Sequence, residues 1–519
     1  MILEEILALN LNKSCGPDDV SPFMLIHLSD FIASPLALLM NKTLQHGILP
    51  RDWKRAYVSP IFKKGARNLA ENYRPISLTS VVCKLMEKFV KEAVLQHLVD
   101  NNLLSAKQFG FVSGRSTVTQ LLRYLDECAE IVANDGVVDS IYFDFSKAFD
   151  TVPHSRLKRK LKAYGIDGEV LSWIDGFLSG REQMVRVNGE LSESKPVISG
   201  IPQGSVLGPL LFVIYINDLP DVVSSSVLLF ADDTKIFRQV VSKEDALELQ
   251  KDIDALAKWS EDWLLKFNIK KCHVLTMGKF HNIRYTHRYN LDQSELEHVF
   301  EEKDLGVTID MELNFQEHIS GKVRKANSIM GLIRRSFSYL DEDLFKKLYT
   351  TFVRPHIEYA QSVWSPHLMK YIKQLENVQI RATAQVDGMK NMDYSERLKK
   401  LELPTLAYRR ERGDMIEVWK HFNAYDQATL PPNFKVNTRS NRSHPHPHQL
   451  TWNRPRDGTR GVQSNSFYFR AATEWNNLPA SVVLSEDINK FKEELDDNWR
   501  SRPLKYTIDI NNDRFSEAE

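Results

Sequence analysis

The chain has 519 residues, which at roughly 150 residues per domain implies about three domains or subdomains, and its 42% apolar content suits ordinary globular cores. Basic and acidic residues balance at 68 each, so net charge neither favours nor excludes a polyanionic partner; a nucleic-acid binder of this composition must sort its charges locally. Cys15, Cys83, Cys128 and Cys272 lie far apart with no CxxC pair, which argues against a disulfide framework or a structural zinc site and points to a reducing, intracellular compartment.

In chain order, the first eleven residues read as a short helix carrying Glu4 and Glu5, with no signal-peptide pattern. Helical patterns alternate with turns as far as about residue 126, and basic residues cluster over 51–67. Apolar runs such as 32–40 and 210–216 are too short to span a bilayer, so a soluble protein with no membrane partner is expected. From about 137 to 309 short apolar strands alternate with helices. Strands are expected at 138–145, 183–187, 197–201, 226–230 and 234–237. Asn188-Gly189 signals a tight hairpin, and 242–267 reads as a long amphipathic helix. Beyond Leu313, the residues Ile319, Val323, Ala326, Met330 and Ile333 form one helical stripe with basic residues around it. Residues 423–461 are rich in proline, histidine and asparagine and read as a loop, followed by a tail over 467–499 with helix and strand potential.

Two acidic segments carry chemistry. In SIYFDFSKAFD (140–150) an apolar strand delivers Asp144 at its end, just ahead of a helix. In VLLFADDTKIF (227–237) two apolar strands flank a turn bearing Asp232 and Asp233. One such aspartate reads equally as a turn residue or helix cap. Both together do not, because partly buried carboxylates about 4 Å apart repel by ~4 kcal/mol at an effective dielectric of ~20. A divalent cation relieves that repulsion, and hard oxygen ligands suit magnesium. Two such ions could activate a 3′-hydroxyl and stabilise a leaving pyrophosphate. Between the two segments, SGIPQGSVLGP (199–209) supplies glycines for close backbone approach and Pro209 for a helix start, a candidate wall of a nucleotide pocket.

FDFSKAFDTV, SGIPQGSVLGP and FADD, in that order, resemble motifs A, B and C of reverse transcriptases, specifically those of non-LTR (LINE-type, jockey-like) retrotransposons. PIFKKG (60–65) with NYRPISL (72–78), and QFGFVSGRST (108–117), resemble the finger motifs. LKFNIKKC (265–272) resembles motif D, and KDLGV (303–307) resembles the primer grip. The resemblance covers about residues 10–400.

It implies an α+β right-hand polymerase with fingers over 1–130, an antiparallel-sheet palm over 131–312, a helical thumb over 313–400 and a C-terminal region of unknown role over 401–519. By the same resemblance, Asp144, Asp232 and Asp233 hold two magnesium ions, with manganese as the alternative metal. Phe149 matches the aromatic gate against a 2′-hydroxyl, with a plain core aromatic as the competing reading. Gln203 and Gly204 contact nucleotide and template, and Lys63 and Arg74 hold the triphosphate. Lys271 serves the pyrophosphate or is simply a solvated lysine. Lys64 and Arg115 are further basic candidates, with plain surface solvation the competing reading. Asp150 reads as structural. The implied partners are an RNA template, a DNA primer or nicked target DNA, and deoxynucleotides, in nucleus or cytoplasm. Departures from the pattern are Phe230 for the commoner tyrosine and Cys272 for threonine. No endonuclease, zinc knuckle or RNase H set is recognisable, so a fragment of a longer element is expected, and an inactive nucleic-acid-binding copy is the alternative. The histidines of SHPHPH (443–448) could bind metal but more often mean nothing in such a loop.

Overall fold

The computed structural model describes residues 1–278, 287–425, 430–432, 434–436, 446–451 and 466–508. Along the chain come β1 (Arg55–Phe62), β2 (Tyr73–Thr79), β3 (Val138–Phe143), β4 (Arg181–Val187), β5 (Glu190–Leu191), β6 (Lys195–Val197), β7 (Ser226–Phe230), β8 (Asp233–Gln239) and β9 (His273–Met277). They are followed by β10 (Asn290–Leu291), β11 (Ser294–Glu295), β12 (Glu297–Val299), β13 (Glu301–Asp304) and β14 (Val307–Asp310). Helices fill the segments before, between and after them, so the fold is α+β as expected.

The sheet that matters most runs β12-β9-β3-β8-β7. β3, β7, β8 and β9 pair antiparallel, but β12 lies parallel to β9, so the expected antiparallel sheet has a parallel edge. Every residue of β3 is buried, because both faces of the sheet are covered. Strand side chains alternate between faces, and the core divides accordingly. Val138, Tyr142, Leu228, Phe237 and Leu275 join one cluster with helix Thr117–Ala133 and the helices beyond residue 313. Ile141, Phe143, Val227, Leu229 and Ile236 join the other, with helices Val81–Asp100, Gly208–Ile216 and Lys243–Trp263.

Local sequence explains the flanking elements. Helix Gly208–Ile216 is apolar on every side because it is buried on every side, and Pro209 sits in its first turn. Helix Lys243–Trp263 begins with a capping box: Asp245 N–H donates to the Ser242 hydroxyl, and the Ser242 N–H returns a bond to the Asp245 carboxylate at 2.9 Å. In helix Gln316–Ser336 the residues Ile319, Val323, Ala326, Met330 and Ile333 are all buried, as their spacing requires. Asn188 and Gly189 both have positive φ (52° and 91°) and turn β4 into β5.

Several expectations are corrected. β1 and β2 fall where helices and turns were expected; Pro60 and Pro75, cross-strand partners, interrupt the alternation that marks a strand. The strand expected at 197–201 stops at Val197. Gly200 turns to φ +86°, and the N–H groups of Gly200 and Ile201 donate to Val152 O and Phe149 O instead of to a ladder. The strand expected at 138–145 ends at Phe143, and the one expected at 234–237 runs from Asp233 to Gln239. The described part of the tail is helical, over Phe467–Asn476, Ala480–Val483 and Ile488–Asn498. Much of 423–461 lies outside the described residues.

Ile141 has no exposed surface and sits in the central strand. Ile141→Ala is expected to cost about 2–5 kcal/mol through lost burial and an unfilled cavity, read as a lower urea midpoint with little change in slope.

Candidate active site

The two acidic segments meet at one end of the five-stranded sheet. β3 pairs with β8 down to Phe143↔Thr234, and Asp144 and Asp233 are the next residue beyond that pair on each strand. β7 and β8 close on Phe230↔Asp233, leaving Ala231 and Asp232 as a two-residue turn. Ala231 takes φ +54°, a left-handed conformation costing roughly 1–2 kcal/mol for a residue with a Cβ. The turn is held by Gln108, whose side-chain oxygen accepts from Ala231 N–H at 2.9 Å and from Gly110 N–H at 2.7 Å. Phe109 N–H donates to Leu229 O at 2.7 Å alongside. A Cβ on Gly110 would lie 2.3 Å from Ala231 N, so only glycine fits there.

Electrostatics show that the three carboxylates feel one another. Burial raises the Asp232 carboxyl above its ordinary value, and the Asp144 charge adds to the rise; Lys63 and Arg74 oppose it. Asp233 keeps an open surface but is crowded by protein. It is pushed up to about 6 by burial, then by the charges of Asp232, Asp304 and Asp144. The Asp144 carboxylate accepts from Lys271 Nζ at 2.9 and 3.1 Å. Lys271 is thus placed as a counter-charge to Asp144. Among the described residues no group of three or more Asp, Glu, His or Cys side chains is arranged to hold a metal ion. What the site offers a cation is a set of oxygen donors held close enough to repel, a donor chemistry that fits a hard divalent ion.

The glycine-rich loop lies against the first acidic segment. Gln203 Nε2 donates to Asp150 Oδ1 at 2.9 Å, Ser199 Oγ donates to Asp150 O at 3.2 Å, and Ser77 N–H donates to Gln203 O at 2.7 Å. Gly204 has φ +120°, and a Cβ there would stand 2.5 Å from Ser77 O. Burial raises the Asp150 carboxyl, with the Gln203 bond opposing. Phe149 is half-buried, stacked on Phe212 (4.5 Å, 18°) with Phe111 edge-on at 6.3 Å. A cleft of about 340 Å³ opens here, lined among others by Ser77, Lys147, Asp150, Gln183, Ile198 and Gln203. Lys63 and Arg74 lie exposed at the far end of the β1–β2 pair. Lys64 is exposed too, but Arg115 is spent on backbone, its guanidinium donating to Ser105 O and Gln108 O at 2.7 and 2.5 Å. Of the histidines at 443–448, two are described: His446 is buried against Trp475 O, and His448 stacks on Phe422.

Sequence reading did not single out Gln108, although the residue lay inside a quoted motif. Its signal was a polar residue ahead of Phe109-Gly110, which cannot reveal an amide only 1% exposed under a turn 123 residues away.

Residues 61–309 match the family model described as reverse transcriptase (RNA-dependent DNA polymerase). The chain is similar to curated polymerases of non-LTR retrotransposons. It is 31% identical over 354 residues to a probable RNA-directed DNA polymerase from transposon BS of Drosophila melanogaster, covering 64% of this chain and 38% of that one. It is 27% identical over 465 residues to the RNA-directed DNA polymerase from mobile element jockey of the same species, covering 85% and 50%. The probable polymerase of transposon X-element matches at 26% over 475 residues, covering 88% and 50%. The chain thus spans half or less of the length of these relatives.

The raised Asp233 carboxyl has a stability consequence. Its folded value of about 6 exceeds the ordinary 3.8, so its favourable contribution is full below pH ~4 and is lost as pH rises through 6. In chelator-treated protein, Asp233→Asn should therefore raise the melting temperature at pH 7–8, with the gain vanishing near pH 4. An equal gain at both pH values would show that charge repulsion is not the cause.

Proposed function

We propose that the chain is an RNA-directed DNA polymerase that adds deoxynucleotides to a primer 3′-hydroxyl under an RNA template. The observation carrying this reading is the meeting of Asp144, Asp232 and Asp233 at one sheet end, with Asp233 pushed up to about 6 by burial and neighbouring carboxylates. In this reading residues 1–130 are fingers, 131–312 the palm, 313–400 a thumb and 401–519 a region still without a role.

Asp144, Asp232 and Asp233 would hold two magnesium ions, or manganese. Bound there, such ions supply charge neutralisation for the attacking 3′-oxygen and the leaving pyrophosphate. The rest is done by the protein as positioning and electrostatics, since phosphoryl transfer demands little covalent work of side chains. Lys63 and Arg74 sit where their charges already act on Asp232, and so can hold phosphate oxygens beside it. Lys271, held against Asp144 as its counter-charge, would offer its ammonium to a pyrophosphate oxygen. Gln203 and Gly204 form the wall that a base pair lies against, with Asp150 orienting the Gln203 amide. The Phe149 ring, braced by Phe212, would occupy the space of a 2′-hydroxyl. Template and primer are held by backbone shape, since a copying enzyme cannot select sequence.

Primer extension on an RNA template tests the reading. Asp232→Ala should abolish synthesis, a loss of at least about a thousandfold, while RNA binding stays near wild type. Wild-type protein that binds RNA yet never extends a primer with magnesium would overturn the reading in favour of a scaffold. Phe149→Val should raise ribonucleotide incorporation by roughly tenfold or more, with deoxynucleotide use little changed. Unchanged sugar choice retires the gate.

A further inference from the structure

A buried charge pair lies behind the carboxylates. Lys235, two residues beyond Asp233 and therefore on the same face of β8, is 3% exposed. Its ammonium bonds the carboxylate of Asp304, itself 7% exposed, at the end of β13. Lys235 faces Tyr142 across β3, and its Nζ lies 4.5 Å from the Tyr124 ring centroid. The Tyr142 hydroxyl donates to Tyr124 Oη at 3.0 Å, and Tyr124 donates to Ser140 Oγ at 2.7 Å, so the polar atoms around the pair are satisfied.

Asp304 opens the β13–β14 turn. Leu305 and Gly306 form it with φ +45° and +89°, so a residue with a Cβ is held in the left-handed region. The far side of the turn is gripped as well: Tyr359 Oη donates to Leu305 O at 2.8 Å, and Lys322 Nζ to Gly306 O at 3.3 Å. A second tie from the sheet joins His273 Nδ1 to Glu302 Oε2 at 2.6 Å. The turn is thus pinned between the strand carrying Asp233 and helix Gln316–Ser336.

Two buried charges are a poor way to gain stability, since an apolar pair of similar volume does as well or better. What an ion pair provides that Leu against Met does not is one permitted placement. We propose that Lys235 and Asp304 are positioning residues for primer use: their pair fixes the β13–β14 turn relative to Asp232 and Asp233, and so sets where a primer terminus meets them. This rests on the polymerase reading above and on KDLGV as the primer-holding segment. Neither residue touches the reacting atoms.

The test uses the full 519-residue chain in steady-state primer extension, with KM measured separately for primer–template and for deoxynucleotide. Wild type is assayed first; failure to extend any primer removes the polymerase reading itself, before any variant is compared. The double variant Lys235→Met/Asp304→Leu removes both charges, leaving neither one stranded. It is expected to melt near wild type but to raise the primer–template KM roughly tenfold or more, with deoxynucleotide KM within about twofold. A folded double variant with wild-type primer–template KM, or with both KM values raised alike, overturns the proposal and leaves the pair as fold glue. Should the double variant not fold, Tyr359→Phe loosens the same turn from its half-exposed side. It should raise primer–template KM alone, by about threefold. No change in that KM overturns the proposal by the second route.

Discussion

Antiparallel pairing of β3 with β8, and of β8 with β7, forces three like charges to one end of a sheet whose faces are both covered. Pairing fixes which residues are neighbours, and the apolar strands leave a one-residue slip no escape, since it would turn Ile141, Phe143 and Ile236 into the wrong core. The repulsion is therefore not something the chain can relax by sliding. It is met locally, by Lys271 on Asp144 and by the charges of Lys63 and Arg74 acting on Asp232, and it survives in part as the raised Asp233 carboxyl. A site that stores unfavourable charge where two exposed cationic side chains act on it is organised around binding, because nothing in the fold alone requires those carboxylates.

How much of this was visible in the sequence depended on the range of the interaction. Short-range chemistry was legible: the Asn188-Gly189 turn, the amphipathic helix from about residue 242 and the stripe on helix Gln316–Ser336 all rest on neighbours within a few residues. The acidic end of the sheet was legible too, because two strand-turn patterns each carried a carboxylate at the same kind of position. β1 and β2 were not, since prolines at 60 and 75 hide the period that defines a strand and only their mutual pairing reveals it. The loop after Val197 was misread for the opposite reason: its apolar residues look like a strand, but Gly200 bends the chain so that its amides bond the segment around Phe149.

The interactions that place the site are the least legible of all, because each is a polar bond between segments remote in sequence. Gln108 reaches the turn at Ala231, Asp150 reaches Gln203, and Lys235 reaches Asp304. None of these six residues forms a charge or hydrophobicity pattern with its immediate neighbours. In a sequence, a lysine after FADDT reads as a solvated surface residue; at 3% exposure it is a strut. Such bonds are costly to leave unmade and modest when satisfied, so they discriminate between placements more than they add to stability.

That asymmetry also orders the parts of the site by tolerance. Apolar contacts around helix Gly208–Ile216 can be repacked with similar volumes and little loss, whereas a cross-segment polar bond offers one geometry or none. Each of the three bonds ties a turn or loop bearing a candidate contact residue to a buried part of the fold: the Asp232 turn, the Gly204 loop and the β13–β14 turn. The rigid sheet sets the carboxylates, and these ties carry its rigidity outward into backbone that has no ladder of its own. Loops can then pack closely on their neighbours, Gly200 against Asp150 and Gly204 against Ser77, where positive φ and the lack of room for a Cβ both call for glycine, without losing their fixed placement.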